Sequence, residues 1–361
     1  MAGRGHAKLV FPGGNTSKGF YSFYDHIIPI DAKRIFVIKG GPGVGKSSLM
    51  KAVAEEFLAK GYDVEKHYCS SDNNSLDGLV IPNANIALID GTAPHIVDPK
   101  TPGAVDEIIN LGEFWNEEGM IKHKQEILNC NKGVRDFFYS AYHYLAAAKE
   151  MQDDIDDAID FAVDRAKFNQ MLLELKSEVV DGTDVMERAG KIRHLFDTAI
   201  TPDGVVDYID TIITKRHECY YLKGEHAKGS SEILSKFAEA LCIRGYDVEL
   251  YHQPLNPDRL NTLVVDELDL AVTVNPKLEA SAYMIVNLDN NIVKNKLKDK
   301  QEMLTIDREM LKTMLDEAVV RIGKAKKLHD VMETYYISNM DFKAIDTVKA
   351  VTIERIRNMV E

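Results

Sequence analysis

Gly40-Gly41-Pro42-Gly43-Val44-Gly45-Lys46-Ser47 is the stretch that decides the fold. It satisfies G-x-x-x-x-G-K-[ST] and follows an apolar run, Ile35-Phe36-Val37-Ile38, that reads as a buried parallel strand. A helical pattern starts directly afterwards, from Ser47 through Leu58. Strand, glycine-rich turn and helix in that order aim backbone N–H groups and the positive end of a helix at a polyphosphate. The expected cradle is Gly40, Gly41, Pro42, Gly43, Val44 and Gly45, with Ser48 behind it. Lys46 is placed to reach the β- and γ-phosphates, and the Ser47 hydroxyl to take one coordination position of Mg²⁺.

The same module occurs twice. At an offset of 184 residues, Lys39-Gly40 meets Lys223-Gly224, Gly45 meets Gly229, Ser47 meets Ser231 and Ala54-Glu55 meets Ala238-Glu239. Gly61-Tyr62-Asp63-Val64-Glu65 recurs unchanged as Gly245-Tyr246-Asp247-Val248-Glu249, and Leu76, Leu79 and Val80 meet Leu260, Leu263 and Val264. Phe11, Thr16, Gly19 and Asp25 match Phe196, Thr201, Gly204 and Asp210 at 185, while Lys149 and Asp164 match Lys326 and Asp341 at 177. The chain therefore reads as a tandem duplication, with one module over residues 1–183 and its copy over residues 184–361.

The copies differ where chemistry is expected. Lys46 becomes Ser230, Gly43 becomes Ala227, and Gly41-Pro42 becomes Glu225-His226, so a carboxylate and a β-carbon enter the concavity meant for phosphate. Lys228 is the one nearby cation that offers a substitute. The expectation is a second module that kept its fold and lost nucleotide turnover.

At 361 residues and 45% hydrophobic content the chain can bury two sizeable cores. No apolar run has the length needed to cross a bilayer, and the first residues lack the apolar segment of a signal peptide. Cys69, Cys130, Cys219 and Cys242 show neither paired nor metal-type spacing, so reduced thiols and a cytoplasmic location are expected. A net charge of −13 argues against a nucleic-acid partner.

Val64–Cys69 reads as a second strand and Asn85–Ile89 as a third, delivering Asp90 at its carboxyl end. An acid in that place holds Mg²⁺ opposite Ser47, and its counterpart Val274 is lost together with the lysine. Thr92 and His95, in Asp90-Gly91-Thr92-Ala93-Pro94-His95, are candidates to sense the γ-phosphate, with His95 assisting proton transfer; capping of the next helix is the alternative. Asp72, opposite Asn256, is a candidate to orient an attacking water or a substrate hydroxyl.

Each module continues into a mostly helical arm, about residues 101–180 and about residues 277–361. The second is read as an αα-hairpin broken at Ser338-Asn339-Met340-Asp341; the first breaks around Asp160–Asp164, with another break expected at Asn131-Lys132-Gly133. The acidic tract Gln152–Asp157 and the lysines Lys294, Lys296, Lys298 and Lys300 favour packing of one arm on the other. Phe114 and Trp115, at the root of the first arm, are expected in a core.

The loop, the Asp90 strand and the alternating α/β pattern resemble the P-loop NTPase superfamily, with Walker A at Gly40–Ser47 and Walker B at Asp90. The duplicated layout, with Asp-Gly-Thr-Ala-Pro-His and helical extensions, resembles a group of bacterial tandem P-loop proteins described as ATPases or nucleotide kinases. That resemblance implies an α/β fold of two modules, each a parallel sheet flanked by helices with a helical-hairpin extension. It also implies a Mg²⁺-dependent ATP site in the first module. Lys39 does not fit the deviant loop of dimerising ATPases, because it precedes Lys46 by seven residues where that motif uses five.

The function expected from the sequence is slow ATP hydrolysis at one site, with Lys46 and Asp90 as the central groups and Asp72 and His95 as candidate helpers. A small-molecule or nucleotide kinase is the first alternative, its arm closing as a lid. A non-catalytic nucleotide-gated adaptor, binding a protein partner through its arms, is the second.

Overall fold

The structure, a computed structural model, describes residues 3–93 and 96–360. In the first module β1 (Ala7–Val10) is followed by a hairpin of β2 (Gly13–Thr16) and β3 (Gly19–Ser22). Next come β4 (Arg34–Lys39), α1 (Lys46–Ala59), β5 (Val64–Tyr68), β6 (Leu76–Ile81), β7 (Ile86–Asp90) and β8 (Asp106–Asn110). The arm begins with the short α2 (Glu117–Lys122) and continues through the long α3 (Lys124–Ala162) and α4 (Arg165–Lys176).

The second module repeats this order. Strands β9 (Ile192–Leu195), β10 (Thr198–Thr201) and β11 (Gly204–Asp207) precede α5 (Ile209–Ile212), β12 (Glu218–Lys223) and α6 (Ala227–Ile243). Then come β13 (Val248–His252), β14 (Leu260–Val265), β15 (Leu270–Thr273), β16 (Met284–Asn287), α7 (Gln301–Ile337) and α8 (Phe342–Val360).

Two six-stranded sheets result, in the orders β1–β5–β6–β7–β4–β8 and β16–β12–β15–β14–β13–β9. The expected parallel sheet is corrected to a mixed one. β4 is parallel to β7 and β8, but β6 runs antiparallel to both β5 and β7, and β14 does the same between β13 and β15. The connections explain this: β5, β6 and β7 follow one another through short turns, which close antiparallel pairs without a crossover helix.

Alternation along β4 sends Phe36 and Ile38 to a face covered by α1, and Ile35 and Val37 to a face covered by Ile27, Ile28 and Ala32. The arms do not fold back as simple hairpins. α8, at the far end of the chain, buries Ile345 and Ile356 against the first module's Phe36, Val44, Leu49 and Val53. α4 mirrors it, burying Phe168, Leu172 and Leu175 among Tyr220, Ile233, Leu234 and Phe237 of the second module. Each half of the chain thus completes the core of the other.

The long helices α3 and α7 pack together through Ala141, Leu145, Ala148, Ala318 and Ile322. Small residues let the two backbones approach, and Gly133 is one such point: a Cβ there would meet Leu328. The break expected at Asn131-Lys132-Gly133 is therefore absent, since α3 runs through it. The breaks at 338–341 and near Asp164 are present, and Asp164 caps α4 by accepting from the Ala166 and Lys167 N–H groups. Apolar packing joins the arms. The acidic tract instead faces the second module, where Arg259 pairs with Asp153 and Asp156 and Lys228 with Asp157. Lys296 and Lys300 lie over the ring of Phe161.

Among the described residues no helix is long and apolar enough to cross a membrane. All four cysteines are free thiols.

Candidate functional site

The glycine-rich loop leaves β4 at its carboxyl end and turns into α1. Gly43 and Gly45 carry it through φ of +66° and +97°, conformations that a side chain would strain. Gly45 is the N-cap of α1 and offers no side chain to cap the N–H groups of the first turn. Lys46 lies along the concavity, donating to the Gly40 carbonyl at 3.1 Å and the Gly41 carbonyl at 2.7 Å. Its ammonium stands 3.6 Å from a carboxylate oxygen of Asp90. That contact brings loop and strand acid together, because β4 and β7 are parallel neighbours whose carboxyl ends share one edge of the sheet.

Asp90 keeps one oxygen on the Thr92 N–H at 2.9 Å, and the Thr92 hydroxyl donates to the Gly40 carbonyl at 3.0 Å. Thr92 thereby ties the strand acid to the loop. Lys39 braces the same segment from beneath, donating to the Gly91 and Val97 carbonyls at 2.9 and 2.8 Å and pairing with Asp98 at 2.8 Å. Ser47 accepts the Leu76 N–H at 3.0 Å, which orients its hydroxyl. Val44 is buried under the loop, while Ser48 is exposed on the first turn of α1. Pro42 is half-buried, and His95 lies outside the described residues.

Asp72 is not aimed at the loop. It accepts from the Ser75 hydroxyl at 2.8 Å and the Asn74 N–H at 3.3 Å, capping its own turn, and stands 3.6 Å from Lys326 of α7. The final turns of α7 continue along the loop. Cβ atoms on Gly41 and Gly43 would meet Tyr336 and Ile337. The helix over the first module's loop thus belongs to the second half of the chain.

Asp77 is the residue that sequence reasoning missed. It sits on β6, 6% exposed. Because Gly78 pairs with Ile89 in an antiparallel ladder, Asp77 comes opposite Asp90. Burial raises its carboxyl to about 7, with the nearby Asp90 charge adding to the rise; a hydrogen bond from the Tyr24 hydroxyl and the Lys46 charge oppose it. A signal was present: Asp77 meets Asn261 at the offset of 184, one more acid lost from the second copy.

The second module's equivalent of the loop is built differently. α6 starts at Ala227, whereas α1 starts at Lys46, whose equivalent is Ser230. Ala227, Lys228 and Gly229, the equivalents of Gly43, Val44 and Gly45, are here wound into an extra helical turn, with the Ser230 N–H donating to the His226 carbonyl at 3.0 Å. Carboxylates of α3 cover that turn: Asp160 contacts His226 at 3.0 Å and Asp157 pairs with Lys228. Lys228 is therefore held by an internal acid. One detail survives, since Ser231 accepts the Leu260 N–H at 3.1 Å as Ser47 accepts that of Leu76.

No protein-family model matches the chain, and neither a curated protein nor a solved structure matches it significantly.

Proposed function

We propose that this chain is a Mg²⁺-dependent ATP-binding protein that hydrolyses nucleotide at one site, Gly40–Ser48 with Asp90, in its first module. The observation that carries the reading is the meeting of Lys46 with Asp90 where the glycine-rich loop runs into the N-terminus of α1. A cation, a helix N-terminus and an acid at one sheet edge suit a bound polyphosphate better than a packing role. Lys46 offsets charge that develops on the transferring phosphoryl group, and the loop amides hold the phosphates in place.

Ser47, next to Lys46 in the chain, and Asp90, 3.6 Å from the Lys46 ammonium, would supply hard oxygen donors, a set that fits Mg²⁺. Held by Ser47 and Asp90, Mg²⁺ would supply charge neutralisation for the phosphates. In the second module neither the lysine nor the acid is present and the loop is helical, so that copy acts as a fixed structural partner. The arms add to this reading: α3 and α7 cover each other, and α4 and α8 cover the two cores.

The test is phosphate release from Mg–ATP by the full chain and by Lys46→Ala. The variant is expected to fold and to lose about 10²–10³ in rate. Hydrolysis at the parental rate would place the site elsewhere.

A further inference from the structure

A site for the nucleotide's base rests on the assignment of its phosphates to Gly40–Ser48. On the β7 side of β4, Thr92 bonds the Gly40 carbonyl and Lys39 bonds the segment behind it. The other neighbour of β4 is β8, which ends at Asn110 beside Lys39. Beyond it the chain turns under the loop, with Leu111 3.4 Å from where a Cβ on Gly40 would stand. Tyr336 of α7 packs on Gly41 and meets Trp115 edge-on, ring centroids 6.3 Å apart.

Trp115 then pairs with Met340 in an antiparallel bridge. The Asn116 N–H donates to the Asn339 carbonyl at 2.7 Å, and the Asp341 N–H to the Phe114 carbonyl at 2.9 Å. Residues 113–116 and 338–341 line a shallow, open recess of about 490 Å³. Trp115, expected in a core, is 38% exposed at this recess, while Phe114 packs inward.

The second copy supplies an internal control. At the offset of 177, Trp115, Asn116, Asn339 and Met340 become Ile292, Val293, Ala162 and Val163. The backbone arrangement is kept: Val163 bridges Ile292, the Val293 N–H donates to Ala162 at 2.8 Å and the Asp164 N–H to Asn291 at 2.7 Å. The bridge therefore does not need Trp115, and the second copy carries its ring and amides at other positions, as Phe161, Asn290 and Asn291.

We propose that the recess between residues 113–116 and the α7–α8 turn receives the nucleotide's base, with Trp115 as its stacking partner. The base then touches both halves of the chain, and binding ties the end of α7 to the phosphate loop.

Trp115 is the only tryptophan, so its emission reports directly. The full chain is titrated with Mg–ADP and with Mg–pyrophosphate, following heat and tryptophan emission together. ADP is expected to change the emission over the range in which heat is released. Trp115→Leu is expected to weaken ADP about tenfold and leave pyrophosphate unchanged. Met340→Val, which copies the second module, tests the recess while keeping the tryptophan and is expected to weaken ADP selectively. ADP binding without an emission change, or variants that weaken both probes equally or neither, would overturn the base site alone. Failure of both probes to bind the parent protein would overturn the phosphate-loop assignment itself.

Discussion

Phe11 and Phe196 exchange both of their backbone hydrogen bonds, Phe11 N–H to Phe196 at 2.9 Å and Phe196 N–H to Phe11 at 3.0 Å. They are also equivalents in the sequence repeat. Two equivalent residues that bond each other mark a pseudo-two-fold axis, as at the centre of a symmetric dimer. The rest of the contact obeys it. Lys8 and Arg193 are equivalents, as are Glu65 and Glu249, and each cation pairs with both acids. One chain has taken the form of a two-fold dimer with exchanged arms, and only one of its two loops keeps its cation.

In the ion cluster on the axis Glu65 is buried and Lys8, Arg193 and Glu249 are partly so, and its balance matters. Burial opposes ionisation of Glu65, but Arg193 and Lys8 outweigh it and hold the carboxyl well below its usual range. Arg193→Leu leaves two acids to one lysine and is expected to cost about 3 kcal/mol in urea unfolding at pH 7. A depressed acid contributes stability above its unfolded value and loses it as pH falls through the folded value, so the parent's advantage over the variant shrinks below about pH 4. An unchanged advantage at acid pH would contradict this balance.

Asp77 carries the opposite sign. Its carboxyl is raised to about 7 by burial, so the folded state holds a proton that the unfolded state has released. Stability from this group falls as pH rises from about 4 to 7 and is then level. Asp77→Asn keeps the partner for Tyr24 and removes the titration. In buffer free of divalent cations the variant is expected to match the parent near pH 4 and to exceed it by a few kcal/mol at pH 8. A constant difference across that range would mean that Asp77 is ionised throughout.

The exchanged arm has an energetic signature. Ile356 is fully buried against the first module although it lies near the end of the chain. Ile356→Ala is expected to lower stability by about 2–4 kcal/mol, the cost of a cavity in a packed core. Denaturant unfolding measures it, and a loss below about 0.5 kcal/mol, the range of an ordinary surface substitution, would mean that α8 is a detachable appendage.

How much of the architecture is legible in the sequence depends on the range of the interaction. β4, α1, β5 and β7 follow from local apolar patterning, and their observed bounds lie within two residues of the expected ones. β6 is not legible, because Leu-Asp-Gly-Leu-Val-Ile places an acid and a glycine inside a wholly buried strand. The same acid, Asp77, becomes visible as a site residue only when the ladder sets it opposite Asp90. Periodicity shows that α8 has an apolar face and is silent on which core that face covers, so the exchange of arms is invisible to it. Lys228 stands beside the degenerate loop in the sequence, and its pairing with Asp157 needs the fold.

Placing a lysine at position 230 tests the proposal that the second loop binds no nucleotide. Ser230→Lys adds an ammonium to a segment that is already helical and faced by Asp157 and Asp160. The variant is expected to gain no second nucleotide site in equilibrium dialysis with Mg–ATP. Two bound nucleotides would mean that the lysine alone was missing.

The central claim is asymmetry, one nucleotide per chain in the first module, and isothermal titration of the nucleotide-free protein with Mg–ADP measures it most directly. A stoichiometry near one for the parent and for Ser230→Ala, with no binding heat for Lys46→Ala, is the predicted result. Two equivalent tight sites per chain, or binding that survives in Lys46→Ala, would contradict it.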